Sequence, residues 1–185
     1  DFMRNHIDYV KGEKYNFIAV VNSANAYLKE AWMGTNSAGF ALMNTQSYNL
    51  VDIKGDEERG AANGRVIYRA LEVCATVADF CHFLDTISKP SDIEANFGVI
   101  DAQGGAAMFE VDYYKYVMYD ANNPKDAPYG YIARTNFSFA GKVNEGAGYV
   151  RYMEADQVLM KASATGNITP QFIFNDLSRS FRNRM

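Results

Sequence analysis

The sequence has few of the residues that most often form catalytic and metal centres. Only two cysteines and two histidines occur among its 185 residues. Cys74 and Cys81 lie in a stretch of helical periodicity about two turns apart, which is too far for a disulfide within one straight helix. They do not have zinc-site spacing, and serine-hydrolase, P-loop and dinucleotide-binding motifs are absent. We therefore expect no metal and no cofactor, and we interpret His82 as a partly exposed helix residue and not as a catalytic base.

Long apolar runs and a surplus of positive charge are missing as well. No run of 18 apolar residues occurs, so the sequence predicts no transmembrane helix. The formal net charge is −4, which argues against a nucleic-acid partner because phosphate binding needs a basic surface. The start at Asp1 is typical of the interior of a longer gene product. No signal peptide is visible, and we expect an extracytoplasmic location only if the preceding segment carries one.

The residues that are present predict one folded domain, residues 1–185. Apolar residues make up 48% and charged residues 22% of the chain, as in ordinary globular proteins. Thr76 and Asp79 have the spacing of a helix-capping box. Strands are predicted at residues 15–21, 27–33, 40–45, 96–100, 106–111, 113–119 and 130–135, and helices at 65–75, 76–87, 149–162 and 169–181. Because groups of strands alternate with pairs of helices, the pattern predicts a layered α+β fold.

Five short motifs occur in a consistent order over nearly the whole chain. They are Asp1-Phe2, residues 36–44 (NSAGFALMN), 97–111 (FGVIDAQGGAAMFEV), 134–137 (RTNF) and 149–155 (YVRYMEA). Together they resemble motifs of the choloylglycine hydrolase and penicillin acylase superfamily of N-terminal-nucleophile (Ntn) hydrolases. Within that superfamily, the sequence is most similar to acyl-coenzyme A:6-aminopenicillanic acid acyltransferase-like proteins.

The resemblance implies a specific fold and a specific chemistry. The fold is a four-layer αββα sandwich, with two antiparallel sheets between two helical layers, of which this chain would be a part that is incomplete at both ends. In the chemistry, self-cleavage exposes an N-terminal cysteine whose thiol attacks an amide carbonyl, while its own α-amino group acts as the base. An α-amine titrates near ~8 and a thiol near ~8.5, so this proton transfer needs no histidine.

Four residues receive site roles from the resemblance. Asn136 would orient the α-amine or the oxyanion, and Asn44 or its neighbour would complete the oxyanion hole. Arg151 would hold the site together and favour the thiolate through its charge, and Asp1 would accept a hydrogen bond from the amine of the nucleophile. Purely structural roles stay open for two of them: Asn136 could cap a turn, and Asn44 could bind loop backbone.

The implied function is hydrolysis or acyl transfer at a linear, non-peptide amide, with a small-molecule amide or acyl substrate. The nucleophile would lie upstream of Asp1, so we expect the chain by itself to be inactive. A bile-salt or penicillin V hydrolase is the alternative among enzymes. A non-catalytic ligand-binding or structural protein that kept the fold is the alternative of another class, and a homo-oligomer is one option for the assembly.

Overall fold

A single antiparallel sheet organises the part of the chain that the computed structural model describes, which is residues 5–23, 29–50, 62–142 and 147–179. Each strand pairs with the next one along the chain. The seven strands are β1 (Asn5–Val10), β2 (Phe17–Asn22), β3 (Ala31–Asn36), β4 (Ala41–Gln46), β5 (Ala95–Ile100), β6 (Ala106–Val111) and β7 (Tyr116–Asp120). The helices are α1 (Asn63–Val73), α2 (Val77–Thr86), α3 (Ala147–Ala164) and α4 (Pro170–Asn175), followed by a 3-10 turn at Leu177–Arg179.

One face of the sheet packs against α1 and α2 and forms the main core. Alternate residues of a strand point to the same face, and on β5 the buried Phe97 points towards these helices. Phe80 of α2 meets the rings of Phe97 and Phe109 edge-on, with centroid distances of 5.8 and 5.0 Å. Ile67 and Leu71 of α1 are also buried in this cluster. Burial of these large side chains fixes which face of each strand is turned inward.

The opposite face of the sheet is apolar and open in the described part of the chain. Ile7, Ile18, Met33 and Ile100 are all at least about half exposed, and the face carries a groove of about 550 Å³. Exposed apolar surface of this extent usually marks a surface that another element covers. The antiparallel sheet and its packed helices confirm the predicted α+β class. The second sheet of the predicted sandwich would pack on this open face.

Three strand predictions need correction, and one strand was not predicted. The strand predicted at residues 27–33 lies at Ala31–Asn36, because the turn to β4 begins only at Asn36, whose carbonyl accepts a bond from Gly39 N–H. Residues 130–135 are irregular, because their backbone binds side chains of the sheet where strand pairing was expected. The strand predicted from residue 113 begins at Tyr116, because the Asp112 carboxylate accepts bonds from the N–H groups of Tyr114 and Lys115 and closes a turn. Strand β1 was missed because five of its six residues are exposed and show no inward-facing set.

The break predicted between the helices at 65–75 and 76–87 is confirmed, and it separates the two cysteines. Cys74 follows the last residue of α1, whereas Cys81 lies in α2. The predicted capping box is confirmed, because the Thr76 side chain accepts a bond from Asp79 N–H and the Asp79 carboxylate accepts one from Thr76 N–H. None of the helices in the described residues is long and apolar enough to cross a membrane.

Asp101 ties the β5–β6 turn to the start of α2, and this contact predicts a pH-dependent contribution to stability. Its carboxylate accepts a bond from the N–H of Val77, at 2.9 Å, and others from Gly105 and Gln103. These N–H groups, that of Val77 first, lower the pKa of Asp101. The stabilisation is therefore complete above the unfolded-state pKa of about 3.9 and is lost as the pH falls through the lower folded-state pKa.

We expect Asp101→Asn to reduce the free energy of unfolding at pH 7, and we expect this difference to shrink as the pH falls from about 3.9 through the lower folded-state pKa of Asp101. Urea unfolding of both proteins between pH 2 and 7 measures this difference. The exposed Asp8, on β1, gives the control variant Asp8→Asn. A gap between wild type and Asp101→Asn that stays constant over the whole pH range would contradict the proposed role of the charge.

Candidate functional site

An irregular segment, residues 131–142, lies on the open face of the sheet and carries Asn136. Side chains of β4 and β5 hold its backbone. Thr45 Oγ1 donates to the Thr135 carbonyl at 2.6 Å, and Asn96 Nδ2 donates to the same oxygen at 2.8 Å. Thr45 and Asn96 are cross-strand partners, and cross-strand partners share a face of the sheet. Thr45 and Asn96, on the open face, therefore fix the backbone position next to Asn136.

The side chain of Asn136 is held from both ends of its amide. Its Nδ2 donates to the backbone carbonyl of Gln46 at 2.7 Å, and its Oδ1 accepts a bond from Arg151 Nη2, also at 2.7 Å. A primary amide carries two N–H donors. The second N–H of Asn136 has no acceptor among the described residues. The geometry therefore leaves one oriented donor available for an additional acceptor.

Arg151 reaches Asn136 from the first turns of α3. A cation near the N-terminus of a helix is disfavoured by the helix dipole, so this position requires a specific partner. Gly148 lets the helix approach closely, because a Cβ atom there would lie 2.8 Å from the carbonyl oxygen of Asn136. Thr135 Oγ1 adds a bond to the Gly148 carbonyl at 2.6 Å. The start of α3 and the segment around Asn136 therefore form one packed unit.

Of the other two predicted site residues, the structure describes only Asn44, and it does not bring the Asn44 side chain to Asn136. Asn44 is the cross-strand partner of Phe97, so its side chain faces the helix-covered side of the sheet, opposite to Asn136. Asp1 lies outside the described residues. The predicted set is thus reduced, in the described part of the chain, to the pair Asn136 and Arg151.

Neither cysteine has the properties of an activated nucleophile. Cys74 is buried, and this burial raises the pKa of its thiol to about 12. Burial also raises the pKa of the Cys81 thiol. Reactive cysteines need a lowered pKa, so both thiols fit the predicted structural role. His82 is exposed on α2, and no group of three or more potential metal ligands occurs within the described ranges.

The model of the acyl-coenzyme A:6-aminopenicillanic acid acyl-transferase family matches residues 4–166, which is most of the chain. The chain belongs to this family. The motifs occur in the family's order because the chain is a member of that family. Membership places the protein among Ntn-type amide hydrolases and acyltransferases. A comparison with curated proteins finds no match.

Solved structures share the fold of this family member. Two variants of conjugated bile acid hydrolase from Clostridium perfringens are similar to it. The first has a TM-score of 0.59 at 11% identity and covers 96% of this chain and 71% of that one. The second has a TM-score of 0.55 at 12% identity, with 94% and 69% covered. Penicillin V acylase from Agrobacterium tumefaciens has a TM-score of only 0.42 at 15% identity, with 89% and 61% covered. At these identities the first two confirm the Ntn-hydrolase fold and nothing finer.

The structure contains a buried ion pair that was not predicted from the sequence. Glu110 on β6 and Arg134 are 0% and 4% exposed in their side chains, and Arg134 Nε donates to the Glu110 carboxylate. The same carboxylate accepts bonds from the N–H groups of Phe139 and Ala140. The Arg134 guanidinium also stacks on the rings of Tyr119 and Phe139. Glu110 therefore anchors both ends of the stretch that contains Asn136.

We expect Gly148→Ala to disturb the contact between Arg151 and Asn136. The new Cβ would meet backbone atoms of Asn136, which cannot swing away as a side chain could, so the start of α3 must shift. A crystal structure of the variant should show a lengthened distance between Arg151 Nη2 and Asn136 Oδ1. Val150 is exposed on the same helix, and Val150→Ala should leave this distance unchanged. An unaltered distance in Gly148→Ala would show that the close approach is not required.

Proposed function

We propose that the intact protein hydrolyses a linear, non-peptide amide, or transfers its acyl group, through a thioester on an N-terminal cysteine located upstream of Asp1. The observation that supports this most strongly is the oriented, unused N–H of Asn136 in a segment clamped onto the sheet. Acyl transfer passes through a tetrahedral oxyanion, and fixed donors aimed at it supply much of the rate enhancement.

In the proposed reaction, the cysteine thiolate attacks the amide carbonyl carbon and the carbonyl oxygen becomes an oxyanion. The second N–H of Asn136 donates to this oxygen, while Gln46 and Arg151 keep the amide from rotating. The carbon–nitrogen bond then breaks, and the leaving amine takes the proton that the α-amino group of the cysteine had accepted from the thiol. Water or an acceptor amine attacks the resulting thioester and releases the acyl group.

We assign the remaining residues of the proposed site from the family resemblance and from the face of the sheet that each side chain occupies. Asp1 is proposed to accept a hydrogen bond from the α-amine of the nucleophile. Because the Asn44 side chain faces the helix-covered side, we propose that the residue next to it in β4 completes the oxyanion hole. The charge of Arg151 stabilises a nearby thiolate.

The test is N-terminal sequencing, intact mass and trapping of the acyl-enzyme on the protein expressed from its full native gene. A conjugated bile acid serves as one probe, chosen from the name of a structurally similar enzyme. Penicillin V serves as the other, because the family resemblance of the sequence raises a penicillin V hydrolase as an alternative. We expect a mature N-terminus at a cysteine upstream of Asp1 and an acyl adduct on that residue. The peptides of Cys74 and Cys81 are the internal control and should carry no adduct. A mature protein that begins near Asp1 would overturn the proposal.

A further inference from the structure

Beneath the segment that carries Asn136, the sheet presents two polar side chains among apolar ones. Asn96 on β5 and Glu110 on β6 are direct cross-strand partners on the open face, and each is only 1% exposed. Buried polar groups in a strand are costly unless their hydrogen bonds are satisfied. Both residues satisfy theirs by binding the backbone of residues 135–140, with one supplying donors and the other acceptors.

Asn96 binds the backbone on both sides of Asn136. Its Nδ2 donates to the Thr135 carbonyl at 2.8 Å and to the Phe137 carbonyl at 3.1 Å. These two carbonyls flank residue 136, so the amide of Asn96 fixes the backbone torsions from which the Asn136 side chain projects. The N–H groups bound by Glu110 belong to Phe139 and Ala140, further along the segment. Of Asn96 and Glu110, Asn96 is therefore the residue that binds the backbone immediately beside Asn136.

The orientation of the Asn96 amide is itself determined. Its Oδ1 accepts a bond from Ser138 Oγ at 2.5 Å. If the amide were turned over, its oxygen would face two carbonyl oxygens and lose both bonds. Asn49 secures Ser138 in turn, because its Oδ1 accepts from Ser138 N–H at 2.9 Å and its Nδ2 donates to the Ser138 carbonyl at 2.8 Å. The amide of Asn96 therefore has one satisfied orientation.

We infer that Asn96 is a positioning residue for the proposed oxyanion site: it aims the unused N–H of Asn136 by bridging the carbonyls of Thr135 and Phe137. This inference rests on the proposed function. A displacement of about 1 Å in a catalytic group can lower a rate by about 10²-fold. Loss of the bridge should therefore act on the chemical step, through Asn136, and should affect substrate binding much less.

The test is a double-mutant cycle in the intact protein between Asn96→Asp and Asn136→Ala. Aspartate keeps the size of Asn96 but removes both donors and places a carboxylate against two carbonyl oxygens. We expect Asn96→Asp to lower kcat by about 10²-fold with KM within about 3-fold. In the Asn136→Ala background the same change should lower kcat by less than about 3-fold, since there is no longer an amide to aim. Equal losses in the two backgrounds would overturn the inference.

Asn36 provides a matched control on the other side of the sheet. It is 7% exposed, and its Nδ2 donates to the carbonyls of Leu71 and Cys74 at 2.9 and 2.7 Å. Asn36→Asp thus removes the same number of buried donors without touching the segment around Asn136, and kcat of the folded variant should stay within about 3-fold of wild type. If Asn96→Asp does not fold, Asn96→Ser replaces it, because a hydroxyl can donate to only one of the two carbonyls.

A crystal structure of the Asn96 variant separates failure of this inference from failure of the proposed function. We expect Asn136 Nδ2 to leave the Gln46 carbonyl, which it contacts at 2.7 Å in the wild type. If the intact wild type forms no thioester but the Asn136 amide moves in the variant, the positioning role stands and the proposed function falls. If the amide keeps its bonds to Gln46 and Arg151 in the variant, the positioning role is overturned whatever the activity.

Discussion

Replacement of Asn136 by alanine in the intact protein is expected to lower kcat by about 10²–10³-fold, because one oriented oxyanion donor contributes about that much to acyl transfer. The KM should change far less, since the donor acts on charge that develops only in the transition state. Steady-state kinetics on the substrate class identified by acyl-enzyme trapping measures the effect. Circular dichroism checks that the variant is folded.

The matched control for this experiment is Asn44→Ala. Asn44 is an asparagine of the same sheet, but its side chain faces the helix-covered side, away from Asn136. We expect its removal to change kcat by less than about 3-fold, well below the cost of losing an oxyanion donor. Comparable losses in the two variants would mean that Asn136 acts through folding and not as a donor, because the two substitutions remove the same group from opposite faces.

Replacement of Arg134 by leucine is expected to cause the largest loss of stability among single substitutions in this region, about 3–5 kcal/mol. The change leaves the Glu110 carboxylate buried without its cation, and both side chains are almost entirely inaccessible to solvent. It also removes the guanidinium stacked between Tyr119 and Phe139, at 4.6 and 4.1 Å from their ring centroids. Urea unfolding at pH 7 gives the difference in free energy of unfolding.

A surface ion pair is the control for that substitution. Glu13 contacts Arg69 of α1 at 2.6 Å, and the side chains of Glu13 and Arg69 are 66% and 45% exposed. Exposed pairs contribute little because water screens them, so Glu13→Gln should shift the urea midpoint only slightly. The double variant Arg134→Leu with Glu110→Gln should recover part of the loss, because it no longer buries a lone charge. Without such recovery, the loss in Arg134→Leu would come from packing and not from charge.

The parts of the fold that the sequence predicted are those governed by local rules. The capping box of α2 depends on Thr76 and Asp79, three residues apart, and the structure forms it as predicted. The turn between the strands predicted at 96–100 and 106–111 and the start of the helix predicted from residue 169 follow equally local chemistry. Asn136 and Arg151 were found through family motifs, and the structure joins them at 2.7 Å.

The residues that support the site were not predicted, because their role depends on contacts distant in sequence. Asn96 and Glu110 looked like strand residues, and only the pairing of β5 with β6 places them side by side beneath residues 135–140. A signal was present: each is a polar residue at a position where its strand is otherwise apolar and buried. The motif of Asn44 did not predict which face of the sheet its side chain occupies, because the register of β4 with β5 decides this.

The order of the strands also determines how the chain can find its fold. Most neighbouring strands are joined by short connections, such as residues 101–105 between β5 and β6. The pairing of β4 with β5 instead encloses residues 47–94, an interval roughly ten times longer, and its closure costs about 2 kcal/mol more chain entropy. This single long-range closure brings Thr45 beside Asn96. We therefore expect the surface that receives the Asn136 segment to be completed late in sheet assembly, after the local hairpins have formed.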